Sequence, residues 1–197
     1  SLGIIGFASA TSQFFTDSIE VPFFNYYLRD GQPRPRDFEA AVFETGANVW
    51  RFFDTWPPRA VTPTNLFLQA GGGLSFAPPA SAGQGYDEYT SDPARPVPYT
   101  AATTHWYDPA FMIEDQRFAS KRPDVLVYQT EPLTQDLTIA GPIAVDFSVS
   151  TSGTDADWIV KLIDVFPSDA LTEGHGFQYA APTIRQRLGG YQMLVRG

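Results

Sequence analysis

Residues 154–167 read T-D-A-D-W-I-V-K-L-I-D-V-F-P, and the class of fold turns on them. In an extended chain, Trp158, Val160, Leu162 and Phe166 point to one side, and Ile159, Ile163 and Val165 to the other. Both sides are apolar, with only Lys161 and Asp164 interrupting. β-branched and aromatic residues suit a pleated, packed surface, and the run is too short to favour a helix. The expectation is a strand in the middle of a sheet, covered on both faces. Its neighbours must then supply partner strands and a facing layer.

Working outward, strand patterns are predicted at residues 125–130, 137–140 and 144–150. Turn residues separate them: Glu131 and Pro132, Gly141 and Pro142, and a polar stretch around Gly153. Residues 168–190 lack regular patterning, and 191–195 start a further strand. Nearer the N-terminus, 40–45 and 49–54 read as two strands around a turn at 46–48, with Trp50 and Phe52 on one face. Residues 65–70 and 74–76 read as a hairpin around Gly71, Gly72 and Gly73. Short strands at this spacing indicate a mainly β chain, a sandwich or a barrel. The long segment 77–123 is rich in Pro, Gly, Ser, Asp and Tyr, and loops longer than about 12–15 residues are usually functional or disordered.

One helix precedes the strands. Phe15, Ile19, Phe23 and Tyr27 recur at the spacing of a single helix face over residues 11–29. Thr11 or Ser12 can cap its start, and Arg29, Asp30 and Gly31 supply a stop. Pro22 removes the hydrogen bond to the Ser18 carbonyl, so a kink is predicted there. The polar segment 31–37, G-Q-P-R-P-R-D, connects the helix to the strands.

Composition narrows the function classes. Hydrophobic residues make up 43% of the 197 and aromatic residues 15%, enough for a sizeable core. The formal charge of -9 repels a phosphate backbone, so no nucleic-acid partner is expected. No apolar stretch reaches the roughly 18 residues of a membrane span. Cysteine is absent, which excludes disulfides and thiolate metal sites without fixing the compartment. The start, S-L-G-I-I-G-F-A-S-A, lacks an initiator Met and a charged leader, and the chain reads as a piece of a longer protein.

Chemistry-bearing motifs are sparse. A serine elbow would read G-x-S-x-G; the nearest string, Gly6-Phe7-Ala8-Ser9-Ala10, lacks the second glycine, so no such elbow is expected in this chain. Of the two histidines, His175 sits in G-H-G and reads as a solvated loop residue. His105 lies in T-T-H-W-Y-D-P within the long irregular segment, where aromatic and polar groups cluster as in ligand-contacting loops. A loop packed on its own sheet is the competing account. Asp155 and Asp157 have a D-x-D spacing, yet the glycine and distal Glu of a calcium loop do not follow, so no metal site is expected. A pairing of Asp157 with Lys161, or a turn cap, suits them better. No cofactor is expected.

A family resemblance enters with the later motifs. Residues 121–134, K-R-P-D-V-L-V-Y-Q-T-E-P-L-T, are followed by L-T-I-A-G at 137–141 and by the opening stretch. Together they resemble the C-terminal jelly-roll (galactose-binding-like) region of the cocaine esterase and X-Pro dipeptidyl-peptidase family of serine hydrolases. The similarity is strongest to the α-amino acid ester hydrolases and glutaryl cephalosporin acylases. V-P-F-F-N-Y-Y-L at 21–28 is similar to the last helix of that family's α/β-hydrolase domain. Ala47-Asn48-Val49-Trp50 and Trp56-Pro57-Pro58 resemble its first sandwich strands.

The resemblance implies two parts. Residues 1–30 would be the helical end of an α/β-hydrolase domain, and 31–197 a jelly-roll β-sandwich incomplete at its C-terminal end. It also implies that the Ser, His and Asp of an acyl-enzyme mechanism lie outside these residues. D-P-A-R-P-V-P at 92–98 matches the element preceding a loop that reaches the hydrolase's acyl pocket. On that match His105, Trp106 and Tyr107 are the substrate-binding candidates. The implied partners are the chain's own α/β-hydrolase domain, or another chain supplying it, and a small ester or amide; a homo-oligomer stays open. A periplasmic or secreted setting rests on the resemblance alone. The alternative from the residues is a β-sandwich module that binds carbohydrate or protein through loop Trp and Tyr.

Overall fold

The computed structural model describes residues 6–7, 9–80, 85–103, 106, 109–174 and 184–196. Among them are eight strands in four antiparallel pairs and little helix, a β-rich chain. Contacts group the described residues into two units. One draws on Ser1–Val61, Ala140–Pro142 and Leu171–Arg187, the other on Thr62–Ile139, Ile143–Ala170 and Leu188–Gly197.

The first unit is an aromatic layer between a helical run and a hairpin. α1 (Thr11–Phe15) passes into a π-helical turn (Thr16–Glu20) and on into α2 (Val21–Leu28). The π turn answers the proline. Pro22 has no N–H for the Ser18 carbonyl, and the Val21 N–H reaches back to the Thr16 oxygen, one residue beyond the α-helical partner. The extra residue in that turn rotates the helix face. The sheltered positions become Phe14, Ile19, Pro22 and Asn25, whereas Phe15 (45% exposed), Phe23 and Tyr27 face out. The predicted face therefore holds only at Ile19. Neither Thr11 nor Ser12 caps the start; the N-cap is Ala10, without a side-chain bond.

β1 (Ala40–Glu44) and β2 (Val49–Phe53) pair as predicted. Their turn uses Gly46 and Asn48 with positive φ, a conformation glycine and asparagine tolerate. The face shared by Trp50 and Phe52 receives Phe14, with ring centroids 5.1 Å and 6.4 Å away. Phe43 packs edge-on against Trp50, Phe38 against Phe52, and the Arg36 guanidinium lies 4.2 Å from the Phe52 ring centre. The glycine of L-T-I-A-G also has a local reason: a Cβ on Gly141, which has φ +99°, would lie 3.2 Å from Pro57 Cβ.

The same unit holds a hairpin that the sequence does not announce. β6 (Leu171–Gly174) pairs with β7 (Ile184–Arg187). Their sequences, L-T-E-G and I-R-Q-R, lack apolar alternation.

In the second unit β3 (Phe67–Gln69) and β4 (Gly73–Ser75) form the glycine hairpin. The predicted strand at 125–130 contributes one parallel bridge: the Leu74 N–H donates to Gln129 O and the Gln129 N–H to Gly72 O, both at 2.9 Å. A Cβ on Gly72 would sit 3.1 Å from Val127 O, so the bare glycine permits the approach. A 3₁₀ helix (Pro109–Ile113) and the single turn α3 (Arg117–Ser120) follow.

The opening stretch departs from expectation. Only its end, β5 (Leu162–Val165), is a strand, and its one partner among the described residues is β8 (Gln192–Arg196), which occupies the predicted 191–195 region. Trp158, Ile159 and Val160 are exposed, at 38%, 81% and 45%. Residues 137–140 and 144–150 belong to no strand, and Leu137, Ile139, Ile143, Val145, Phe147 and Val149 are exposed. Propensity alone does not make a strand; it needs a neighbour's ladder, and the described residues give these segments none. The buried residues gather where α3 meets β8: Gln116, Ala119, Leu188 and Tyr191.

The aromatic layer gives a direct check of the rotated helix face. Phe14→Ala should cost about 2 kcal/mol, as for a half-buried ring with two aromatic partners. Phe15→Ala should cost under about 0.5 kcal/mol, as for an exposed position. Chemical unfolding of both variants tests the ordering, and equal losses would contradict it.

Candidate functional site

Gln116, 2% exposed, is the polar centre of the second unit. Its backbone N–H donates to Gln192 O of β8 (3.0 Å), and its side-chain amide donates to Glu114 O (2.9 Å). Its Oε1 accepts from Lys161 Nζ at the edge of β5 (2.7 Å). Its carbonyl starts α3 by accepting from the Ala119 and Ser120 N–H groups. Lys161 thus bonds Gln116, not Asp157 as the spacing suggested, and its ammonium lies 5.6 Å from the Phe118 ring centre. Burial pulls the Lys161 pKa down, and the negative charge of Glu114 opposes that pull.

Around this centre stand two acids and a phenol. Asp115 accepts from the Arg117 Nε (2.7 Å) and terminal guanidinium nitrogen, from the Arg117 N–H (3.1 Å) and from the Gln192 N–H (3.3 Å). Burial raises its pKa, but these bonds outweigh it and hold the carboxyl below the ordinary value. The Tyr191 hydroxyl donates to the Ile113 carbonyl while its ring packs edge-on against Phe166, centroids 5.7 Å apart. Burial, with the negative charges of Asp115 and Glu114, raises the Tyr191 pKa. Glu114 Oε2 and Gln192 Oε1 are buried acceptors without a hydrogen-bond partner among the described residues.

The candidate loop rises from this base. Upstream, the Ala101 N–H donates to Glu114 Oε1 (3.1 Å), and Thr100 Oγ1 donates to Ala102 O (2.6 Å). Downstream, the chain returns through the 3₁₀ helix to Ile113. Tyr99 and Phe111 close the neck, with ring centroids 4.9 Å apart. Between these two rings in sequence lies Trp106, 87% exposed. Of the three predicted contact residues only Trp106 can be placed; His105, Tyr107 and also His175 lie outside the described residues. The described residues contain no group of three or more acids or histidines arranged to hold a metal. They contain no helix long and apolar enough to cross a membrane.

Two sequence motifs meet beside the loop. Arg122 of R-P-D forks onto Asp124 (2.8 and 2.6 Å) and donates to the Arg95 carbonyl (2.9 Å). Arg95 also closes the turn of D-P-A-R-P-V-P through its N–H, which donates to the Asp92 carbonyl, while the Asp92 side chain accepts from the Ala94 N–H. The Arg122 bond holds the Asp124 carboxyl below its usual pKa. Sequence reasoning noted both motifs but missed their contact, and it missed Gln116, because a lone glutamine carries no periodic or spacing signal.

Three comparisons with known proteins bear on this arrangement. Residues 22–197 match a family described as the X-Pro dipeptidyl-peptidase C-terminal non-catalytic domain. The cocaine esterase of Rhodococcus sp. (strain MB1 Bresler) is 32% identical over 74% of the chain. Two solved structures are also similar. One is an α-amino acid ester hydrolase labelled with selenomethionine (38% identity, TM-score 0.81, 99% of the chain). The other is an aminopeptidase from the marine sediment archaeon Thaumarchaeota archaeon (37% identity, TM-score 0.75, 94% of the chain). The chain spans 27% of the esterase, 31% of the ester hydrolase and 29% of the aminopeptidase.

Tyr128, on the R-P-D segment, donates to Asp87 (2.5 Å). Burial and that carboxylate push its pKa up to about 12. The folded state therefore favours the neutral phenol. The resulting stability should be complete below about pH 10 and vanish as pH rises towards about 12. The difference in tyrosinate absorbance between the protein and its Tyr128→Phe variant should show one phenol titrating near the upper value. A midpoint near the ordinary one would contradict the contact.

Proposed function

The chain belongs to the X-Pro dipeptidyl-peptidase C-terminal non-catalytic domain family, and from that premise we propose that it is the non-catalytic portion of a serine hydrolase. The parent protein cleaves an ester or amide bond, such as that of an α-amino acid ester or a β-lactam acyl side chain. It does so through an acyl-enzyme formed by a Ser-His-Asp set outside these residues. Residues 31–197 form a jelly-roll sandwich that scaffolds the α/β-hydrolase domain, and residues 1–30 are the helical end of that domain. His105, Trp106 and Tyr107 line part of the acyl pocket.

The observation that carries the reading is the exposure of Trp106, 87%, in the aromatic segment that follows D-P-A-R-P-V-P. An apolar ring with most of its surface open to solvent suits contact with an acyl group supplied from elsewhere. Names of similar proteins point the same way: an esterase, an ester hydrolase and an aminopeptidase all act on acyl bonds. Tyr86, 84% exposed, also suits a sugar-stacking role, which keeps a carbohydrate-binding module as the second reading.

Assayed alone with a p-nitrophenyl ester, the chain should show no turnover above buffer. In the intact hydrolase, Trp106→Ala should raise KM for esters with bulky acyl groups about tenfold, the equivalent of about 1.4 kcal/mol of lost contact. Robust turnover by the isolated chain would sink the assignment. Glycan binding by the chain, with kinetics unmoved by Trp106→Ala, would favour the second reading.

A further inference from the structure

We propose that the aromatic outer side of α2, formed by Phe23, Phe24, Tyr27 and Leu28, is the surface on which the parent protein's catalytic portion docks. This rests on the reading of the chain as the non-catalytic portion of a hydrolase, and it adds where the two portions meet. α2 is built inside out. From Val21 to Leu28 it reads V-P-F-F-N-Y-Y-L, without a single charge, and the two residues it shelters are Pro22 and Asn25. Its large apolar side chains face solvent instead, Tyr27 at 65% and Leu28 at 74% exposure, with Phe23 and Phe24 about half exposed. The rings form one cluster: Phe23 lies against Phe24 and Tyr27, with centroids 5.4 and 4.8 Å apart, and Tyr26 against Tyr27 at 5.0 Å. A helix that borders solvent carries charged and polar residues on its outer face, and one that is apolar all round is covered all round. Aromatic enrichment with charge depletion is also the composition of an interface centre.

Three observations select the occupant. The helical run continues from Thr11 through the π turn to Leu28, and the match to the non-catalytic domain family opens within it, at residue 22. One helix therefore crosses the boundary of that domain. Its inner side is taken by the β1–β2 hairpin, through Phe14 on Trp50 and Phe52, which leaves the aromatic side to what lies across the boundary. The similar esterase, ester hydrolase and aminopeptidase share 27%, 31% and 29% of their length with this chain. A parent of that length has ample chain to cover the helix. A second copy fits less well, because a formal charge of -9 on each chain opposes self-association.

The test uses the intact hydrolase. These 197 residues contain no cysteine, so Tyr27→Cys and Leu28→Cys each put one thiol on the aromatic side, and either variant serves if the other folds poorly. Maleimide labelling at these positions, read by mass spectrometry, should be about a hundredfold slower in the folded protein than in the same variant unfolded in urea. With p-benzoylphenylalanine in place of Phe24, irradiation should cross-link the helix, within one molecule, to residues outside 22–197. Labelling at both positions within about threefold of the unfolded rate would overturn the docking surface, as an uncovered side chain reacts freely. Cross-links to a second copy, or back onto residues 31–197, would overturn the occupant. The two readings fail separately. Fast labelling in a parent that still hydrolyses esters removes the docking surface and leaves the hydrolase reading standing, whereas protected thiols in a parent that cleaves neither esters nor amides overturn the hydrolase reading and, with it, the catalytic identity of the occupant.

Discussion

Lys161 bonded to the carboxamide of a buried glutamine is the contact on which the second unit depends. Gln116 joins the segment that follows the 3₁₀ helix, through Glu114, to the β5–β8 pair, through Gln192 of β8 and Lys161 at the edge of β5. Buried polar groups without partners cost about 1–3 kcal/mol each, so such a centre is stable only when its bonds are made together. Two acceptors nearby, on Glu114 and Gln192, lack hydrogen-bond partners among the described residues, and the Lys161 charge offsets part of the cost at Glu114. Little apolar burial is available as an alternative, since only Ala119, Leu188 and Tyr191 are buried apolar residues among those described.

This dependence explains what could be read from sequence. Hairpins announce themselves, because turn glycines and flanking β-formers lie within a few residues. The β1–β2 pair and the Gly71–Gly73 turn appear where the pattern puts them. The strand beginning near Tyr191 does too, but its partner lies some thirty residues earlier and no local signal names it. Residues 154–167 show the limit of the method. Their two apolar faces predict a covered strand, yet pairing with β8 begins only at Leu162, and Trp158, Ile159 and Val160 stay exposed. The helix shows another limit. Pro22 was legible, but the π turn that absorbs it was not, and one extra residue in that turn moves Phe14 inward and Phe15 outward.

The candidate site was legible in part. Its aromatic segment stood out by composition, and of its three candidate residues the structure describes Trp106 alone, which is exposed. The supports beneath it were not legible, because they are single polar contacts between distant residues: Ala101 with Glu114, Ile113 with Tyr191, Arg95 with Arg122. The family it belongs to is described as a non-catalytic domain. The structural logic is a buried polar centre at Gln116 that ties the segment around Glu114 to the β5–β8 pair.

Amide hydrogen exchange across the intact protein tests that logic most directly. If Gln116 is the brace, its N–H and that of Gln192 should be among the slowest to exchange in the second unit, and both should open in a single event together with Ala119 and Tyr191, whose amides bond within the same cluster. Exchange at Gln116 as fast as at Trp106, or opening of β8 without it, would contradict the account.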